Sequence, residues 1–128
     1  MKRNTTKPNM ATQNRTTKNN PNSTEFNQLQ TEISKIFLSN AKRDNLKVDE
    51  DYLVMKINEE LGEFVQSYLV HKKRCRPAKY LDSKESHREM AKELSDVVGL
   101  AFVISKMLKI DLEEALVKKW ITREWLKT

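Results

Sequence analysis

From residue 25 onward, apolar residues recur every three or four positions, which is the spacing of one face of an α-helix. This pattern predicts four helices, at about residues 25–44, 50–72, 82–109 and from 111 onward. Asp82 with Glu85, and Asp111 with Glu114, form capping-box signatures that predict where the last two helices begin. The chain has only two glycines and three prolines, too few turn residues for a sheet with several hairpins. We therefore expect an all-α fold, a four-helix bundle.

The predicted third helix is apolar on nearly every side in its second half. One stripe supplies an ordinary core face, and a second stripe consists of Leu100, Val103, Ile104 and Met107. In a four-helix domain the second stripe would form an exposed apolar patch of a kind that soluble monomers rarely show. We therefore expect a homo-oligomer, a homodimer or homotetramer, in which a two-fold partner covers this stripe.

Residues 1–24 differ in composition from the rest, because Asn, Thr, Lys, Gln and Pro predominate there. With almost nothing to bury, this segment is predicted to be a disordered tail, followed by one domain over residues 25–128. Five of the 24 basic residues and none of the 18 acidic ones lie in the tail, so the domain has 19 against 18, a net charge of +1. No aromatic or base-reading pattern accompanies the tail's charge, and nucleic-acid binding is not expected.

The remaining composition favours a cytoplasmic protein that does not enter a membrane. No apolar run approaches the roughly 20 residues needed to span a bilayer. The first 24 residues lack both the apolar core of a secretory signal and the amphipathic face of a mitochondrial presequence. Cys75, the single cysteine, can form no internal disulfide, which fits a reducing compartment.

Two acidic pairs are the candidate functional residues: Glu60 with Glu63 on the second helix, and Glu93 with Asp96 on the third. Residues three apart on a helix project to one side, so facing antiparallel helices would gather four carboxylates into one cluster. Such a cluster is tolerable only with cations present, because like charges that close repel strongly. Hard oxygen ligands of this kind suit Mg²⁺, or alternatively Mn²⁺.

Taken alone, an acidic pair at this spacing is far more often an ordinary solvated helix face than a pair of ligands. Here the neighbouring residues favour the ligand interpretation. Glu93 and Asp96 begin a stripe that continues into apolar residues, and Glu60 borders the apolar arc of its helix. Since unpaired charge is not expected at the edge of packed surface, we interpret the four acids as a metal site.

These motifs resemble those of the MazG-like, all-α nucleoside triphosphate pyrophosphohydrolases. The segment "INEELGEF" is similar to the family's first metal helix, and "KELSDVVGLAFVISKMLKIDLEEAL" to its second, followed by the start of the next helix. The resemblance implies that Glu60, Glu63, Glu93 and Asp96 bind Mg²⁺ and that Glu59 supports them. One of these acids, Glu60 or Glu63, is the candidate catalytic base, which would take the proton of the attacking water. It also implies a MazG-like bundle that assembles as dimers or tetramers.

The activity implied by the resemblance is hydrolysis of a nucleoside triphosphate to the monophosphate and pyrophosphate. Removal of unwanted nucleotides, called house-cleaning, is one role for such an activity. In this family, basic residues of the last helix face the phosphates, and Lys118, Lys119 and Arg123 are the candidates here. A basic loop at residues 72–79 could also attract polyphosphate, or could be an ordinary solvated loop.

Two other functions stay open. One is phosphoribosyl-ATP pyrophosphohydrolysis, which shares this architecture and metal chemistry, and the other is a non-catalytic helical oligomerisation module. Glu-x-x-His motifs, which a di-iron carboxylate bundle would require, do not occur. His71 and His87 are expected to be surface groups, and Cys75 has no supporting motif that would make it a nucleophile.

Overall fold

The computed structural model of the protein describes residues 24–126, and within that range all regular structure is helical. The predicted all-α class is thereby confirmed. The predicted disordered tail lies outside the described residues, except for Thr24. The four α-helices are α1 (Glu25–Arg43), α2 (Glu50–His71), α3 (Ser83–Met107) and α4 (Leu112–Leu116). Shorter turns are 3₁₀ segments at Pro77–Lys79 and Glu124–Leu126 and a π turn at Val117–Ile121.

Each α-helix begins at a polar side chain that accepts a hydrogen bond from the backbone. Asp82 accepts from the Glu85 N–H and Asp111 from the Glu114 N–H, so both predicted helix starts are confirmed. Asp49 caps α2 in the same way through the N–H of Tyr52. These caps satisfy donors that have no partner inside the helix.

The first three helices end at left-handed residues rather than at glycine. Asn45, Lys73 and Lys109 have φ angles of 56°, 54° and 56° and follow the C-caps of α1, α2 and α3. A left-handed residue at this position lets the next N–H groups reach back to free carbonyls. The helices therefore stop one or two residues before the predicted ends.

Helices α2 and α3 form an antiparallel pair. Leu53, near the start of α2, packs in one buried cluster with Leu100 and Val103, near the end of α3. At the opposite end of the pair, His71 Nδ1 lies 2.8 Å from the hydroxyl of the buried Ser86. His71 is half-buried and ties the two helices together, so the expectation of a surface histidine was wrong there.

Helix α1 packs across the second half of α3. The rings of Phe26 and Phe102 meet edge to face with their centroids 5.1 Å apart. The Gln30 amide donates to the carbonyl of Phe102 and to the hydroxyl of Ser105, at 3.2 and 2.7 Å. Aromatic contact and paired polar groups thus hold α1 in a defined register on α3.

The apolar stripe that was predicted to be covered by a two-fold partner lies in the core of the helical bundle. Leu100 and Val103 are only 4% and 2% exposed, and Ile104 and Met107 pack against them. The prediction chose the wrong face because it did not place α1, which lies against α3 and, together with α2, buries these residues. The exposed apolar residues of α3 are instead Leu94 and Val98, at 48% and 46%.

Helix α2 also exposes apolar residues: besides Met55, these are Val54, Leu61, Val65 and Tyr68. Their spacing of seven, four and three residues defines one stripe along the helix. We call this stripe, together with Leu94 and Val98, the α2–α3 apolar face. Among the described helices, none combines the length and the apolar composition needed to cross a bilayer.

Candidate metal centre

Three of the four predicted ligands converge where α2 and α3 run side by side. Glu60, Glu93 and Asp96 each place one carboxylate oxygen so that the three oxygens all lie within 4.8 Å of one another. The antiparallel arrangement produces this meeting, because position 60 on α2 falls opposite positions 93 and 96 on α3. The structure therefore brings together acids that are more than 30 residues apart in the chain.

Glu60 is largely enclosed, with a side chain only 13% exposed. One turn earlier on α2, the ammonium of Lys56 lies 3.3 Å from Glu60 Oε1 and 3.1 Å from Glu59 Oε1. Lys56 thus provides a positive charge at the edge of the acidic group. The sequence contained its signal, since lysine four residues before one glutamate and three before another is the spacing of helical ion pairs.

The pKa values of Glu60 and Lys56 follow from this enclosure. Partial burial raises the pKa of Glu60 most, Lys56 lowers it through a hydrogen bond and charge attraction, and the charges of Glu63 and Asp96 raise it further. The net shift of the Glu60 pKa is upward. Burial alone would lower the pKa of Lys56, but its contacts with Glu59 and Glu60 outweigh burial and raise it.

The donor set fits a hard divalent cation. Oxygens around an octahedral Mg²⁺ lie about 2.1 Å from the ion, and hence about 3–4 Å from one another. The three carboxylate oxygens, all within 4.8 Å of one another, are close to this spacing. Burial is the largest cause of the raised pKa of Glu60, and a divalent ion bound here would favour the charged form of the carboxyl group.

Glu63 and Glu59 lie outside this three-oxygen group. Glu63 is an exposed residue one turn beyond Glu60, and it shares the lining of a cavity with Glu93. Glu59 is exposed and pairs with Lys56, which agrees with a supporting position. Glu63 is therefore better placed beside a bound ion than as one of its primary ligands, although its predicted role as a ligand stays a prediction.

Two cavities flank the carboxylates along the helix pair. The loop-side cavity, of about 440 Å³, is lined by Glu63, Gln66, Ser67, Val70, Leu81, Ser86, Glu89 and Glu93. The α1-side cavity, of about 350 Å³, is lined by Ile33, Ile36, Phe37, Asn40, Glu60, Ser95, Asp96, Gly99 and Leu100. Each volume is within the range of small-molecule sites. Sequence patterns could not indicate these cavities, since each is lined by two or three separate segments.

The predicted phosphate-binding residues line neither cavity. Lys118 pairs with Glu114 at 2.6 Å, which raises the pKa of the lysine through a hydrogen bond. The ammonium of Lys119 lies 5.3 Å from the ring centroid of Trp120. Arg123 has a positive φ of 57° at the turn before the final 3₁₀ segment. A phosphate role for these three residues stays a prediction.

Comparison with known proteins gives no similar sequence or structure: no protein-family model, no curated protein and no solved structure matches this chain. Functional inference therefore rests on the residues of this protein and on their geometry.

Proposed function

We propose that this protein is a divalent-metal-dependent nucleoside triphosphate pyrophosphohydrolase with a MazG-like bundle. It would hydrolyse a ribo- or deoxyribonucleoside triphosphate to the monophosphate and pyrophosphate. Removal of unwanted nucleotides in the cytoplasm is one role that such an activity would serve. The observation that carries the proposal is the convergence of Glu60, Glu93 and Asp96, from two helices, within 4.8 Å.

The carboxylates of Glu60, Glu93 and Asp96 would hold Mg²⁺, with Mn²⁺ as an alternative. When bound, the ion supplies charge neutralisation for the phosphate oxygens and polarises the phosphoryl group under attack. Lys56 keeps Glu60 oriented toward the other two acids through its 3.3 Å ion pair. Glu59 shares the ammonium of Lys56 at 3.1 Å.

Glu63 is the candidate general base. Glu63 lines the loop-side cavity together with Glu93, where its carboxylate could accept a proton from an attacking water molecule. In the proposed reaction the water oxygen forms a bond to the α-phosphorus, and the bond from that phosphorus to the bridging oxygen breaks. Glu63 accepts the proton of the water, and pyrophosphate leaves with the electron pair of the broken bond.

An assembly of identical chains is the second part of the proposal. Apolar surface is exposed on the α2–α3 apolar face and on two aromatic residues of the C-terminal segment, Trp120 and Trp125. Together they expose more apolar surface than singly scattered residues do. A two-fold dimer, or a tetramer built from it, would cover them. The same exposed residues favour the non-catalytic oligomerisation module as the rival function, which predicts neither metal dependence nor turnover.

A screen of pyrophosphate release tests the proposal. The canonical ribo- and deoxyribonucleoside triphosphates and phosphoribosyl-ATP are each incubated with the protein, with Mg²⁺ and with a chelator. We expect Mg²⁺-dependent release that falls by at least about a hundredfold in Asp96→Asn, since a ligand is lost. Equal release in the variant would reject Asp96 as a metal ligand, and no release from the folded wild-type protein with any nucleotide would reject the enzyme in favour of the oligomerisation module. Selective turnover of phosphoribosyl-ATP would identify the alternative enzyme.

A further inference from the structure

The connection between α2 and α3 concentrates positive charge. Residues 72–79, which we call the basic loop, contain five of the 19 basic residues of the domain and no acidic one. No acid occurs between Glu63 and Asp82. The rest of residues 25–128 has 14 basic and 18 acidic residues, so a nearly neutral domain is positive at the loop and net negative over the remainder. Charge distributed in this way is typical of a surface that binds a polyanion.

The cations of the basic loop are all exposed: Lys72, Lys73, Arg74, Arg76 and Lys79. No ion pair among the described residues includes any of them. Lys72 and Lys73 instead lie near aromatic rings, 5.9 Å from the ring centroid of Tyr68 and 6.0 Å from that of Tyr80. Because no carboxylate of the described residues is paired with these cations, a polyanion that binds them displaces water and counterions only.

Hydrogen bonds hold the basic loop in a defined shape. The Arg74 N–H donates to the Leu69 carbonyl at 2.8 Å, around the left-handed Lys73. The 3₁₀ segment Pro77–Lys79 forms the second half of the loop. The Tyr80 hydroxyl then donates to the Lys73 carbonyl at 3.4 Å and connects the two ends. A cationic surface with a fixed shape loses less conformational entropy on binding than a flexible one does.

Tyr80 adds an aromatic surface to this charge. The residue is 44% exposed, although its ring also contacts Lys73. Proteins that bind single-stranded nucleic acid combine these two features, because cations follow the phosphates while bases stack on aromatic rings. The guanidinium groups of Arg74 and Arg76 suit the same ligand, since they bind phosphate oxygens in pairs and also stack on bases.

Single-stranded nucleic acid fits this surface better than a duplex or an anionic membrane does. In a duplex the bases are stacked on one another, so the ring of Tyr80 would have no partner. Surfaces that bind lipid combine cations with large apolar side chains that enter the bilayer. Residues 72–79 contain no leucine, isoleucine, valine, methionine, phenylalanine or tryptophan. The loop therefore lacks the apolar part of a membrane-binding surface.

The basic loop is separate from the other basic segment of the chain. Thr24, which joins the tail to α1, donates to Glu113 in α4. The loop precedes the 25-residue α3 and α4 follows it, and the two ends of α3 are about 36 Å apart at 1.5 Å per residue. Residues 1–24 also contain no aromatic residue, which is why nucleic-acid binding was not expected of them. The loop differs from the tail in having Tyr80 beside its cations.

We infer that the basic loop and Tyr80 bind single-stranded nucleic acid, with the loop cations contacting phosphates and Tyr80 stacking against a base. The inference goes beyond the proposed function and does not depend on it, because the surface includes none of the metal-binding carboxylates. Its test therefore remains decisive whether or not the protein hydrolyses nucleotides.

The charge contribution is tested with two matched pairs of lysines. Fluorescence anisotropy at several salt concentrations measures the binding of oligo(dT) and oligo(U) strands of about twelve nucleotides. Lys72→Gln combined with Lys79→Gln removes two charges from the loop. Lys106→Gln combined with Lys109→Gln removes two exposed lysines from the other end of α3 and is the control. Circular dichroism verifies that each variant is folded.

In the loop variant we expect the slope of log affinity against log salt concentration to become less steep by about 1.4, since each phosphate contact with a single strand contributes about 0.7. The control pair should leave the slope unchanged, and deletion of residues 1–23 should retain the loop-dependent binding. An equal effect of the two lysine pairs would show that only net charge matters and would overturn the inference. Loss of binding on deletion of residues 1–23 would overturn it too.

The stacking contribution is tested at Tyr80. Tyr80→Ala should weaken oligonucleotide binding at least about fivefold without changing the salt slope, and should not change the binding of inorganic polyphosphate, which has no bases. Tyr80→Phe keeps the ring but loses the hydrogen bond to Lys73, and should bind like the wild type. Unchanged affinity in Tyr80→Ala, or an equal loss in Tyr80→Phe, would reject stacking. Tighter binding to duplex DNA or to phosphatidylserine vesicles than to the single strands would assign the loop to that partner instead.

Discussion

The ammonium of Lys56 lies 3.3 Å from Glu60 Oε1, so a cation from the same helix already occupies one side of the candidate metal centre. With the Lys56 side chain 26% exposed and that of Glu60 13% exposed, the pair is better shielded from solvent than an ordinary surface ion pair. Lys56 therefore both orients Glu60 and reduces the negative charge available to a metal ion. These two effects act on metal binding in opposite directions, and a substitution separates them.

Lys56→Met is predicted to tighten binding of Mn²⁺ or Mg²⁺ by about two- to fivefold, because a competing charge worth roughly 0.5–1 kcal/mol is removed. Isothermal titration of the metal-free protein measures the affinity. Lys35→Met removes an exposed lysine that pairs with Glu32 on α1, and it should leave the affinity unchanged. Weaker metal binding in Lys56→Met would show that orientation of Glu60 outweighs charge competition.

Substitutions of Glu63 and of Asp96 are predicted to have different effects on metal affinity and on turnover. Asp96→Asn removes a member of the three-oxygen group, so metal affinity should fall by at least about tenfold and turnover by at least about a hundredfold. Glu63→Gln should retain metal affinity within about twofold but lose at least a hundredfold in kcat, because a general base is removed. Titration with Mn²⁺ and pyrophosphate release distinguish the two. A parallel loss of both properties in Glu63→Gln would make Glu63 a ligand, as the sequence motif implied.

The raised pKa of Glu60 predicts the pH dependence of metal binding. Its carboxylate becomes protonated at a higher pH than the ordinary pKa of 4.5 would indicate. As pH is lowered, metal affinity should therefore begin to fall at a higher pH than it would if the ligand were a solvated glutamate. Titrations between about pH 4 and 8 in wild type and Glu60→Gln measure this effect. The Glu60→Gln variant should bind metal weakly and should lack the fall in affinity that protonation of Glu60 causes. The prediction would be contradicted if wild-type affinity fell only at the pH expected for a solvated glutamate.

The contribution of Glu60 to the stability of the metal-free protein should depend on pH in the direction opposite to its effect on metal affinity: it should decrease as pH rises. A folded pKa above the unfolded one means that the native state binds the proton more tightly. The favourable contribution of Glu60 is therefore present below its unfolded pKa and is lost as pH rises through the folded pKa. Urea unfolding of wild type and Glu60→Gln over the same pH range checks this sign.

Substitutions on the exposed α2–α3 apolar face and on the buried stripe of α3 should have different consequences. Val65→Lys combined with Val98→Glu places charges on the exposed α2–α3 apolar face, and should dissociate an oligomer into folded protomers. Sedimentation gives the state of assembly and circular dichroism the helix content. A wild-type protein that sediments as a stable monomer at micromolar concentration would remove the proposed assembly.

The matched control changes the buried stripe of α3. Val103→Glu introduces a charge into the core of the protomer, and should unfold it rather than produce a folded monomer. A folded, dissociated Val103→Glu variant would restore the original assignment of that stripe to a subunit interface.

Thr24 is predicted to stabilise the first helix although it was assigned to the tail. Its hydroxyl accepts a hydrogen bond from the Asn27 N–H and donates one of 2.7 Å to Glu113. Thr24→Ala should reduce the free energy of unfolding by about 1 kcal/mol. Urea denaturation measures the difference. Deletion of residues 1–23 should change neither stability nor turnover, and a large effect of that deletion would show that the basic segment contributes.

Local patterns in the sequence determined the helices and most of the candidate ligands. Periodicity of apolar residues and the caps at Asp82 and Asp111 depend on neighbours within a few positions, so they can be read without knowing the fold. The same holds for the spacing of Glu93 and Asp96, which places both on one side of α3 whatever α3 packs against.

Tertiary packing decided which faces are buried and which acids meet. Leu100 and Val103 became core because α1 crosses α3 at Phe102, a contact between residues 76 positions apart that no local pattern specifies. The axial register of α2 on α3 brought Glu60, and not Glu63, within 4.8 Å of Glu93 and Asp96. Both outcomes depend on the angle and offset between helices, and side-chain packing along the whole interface sets these two quantities.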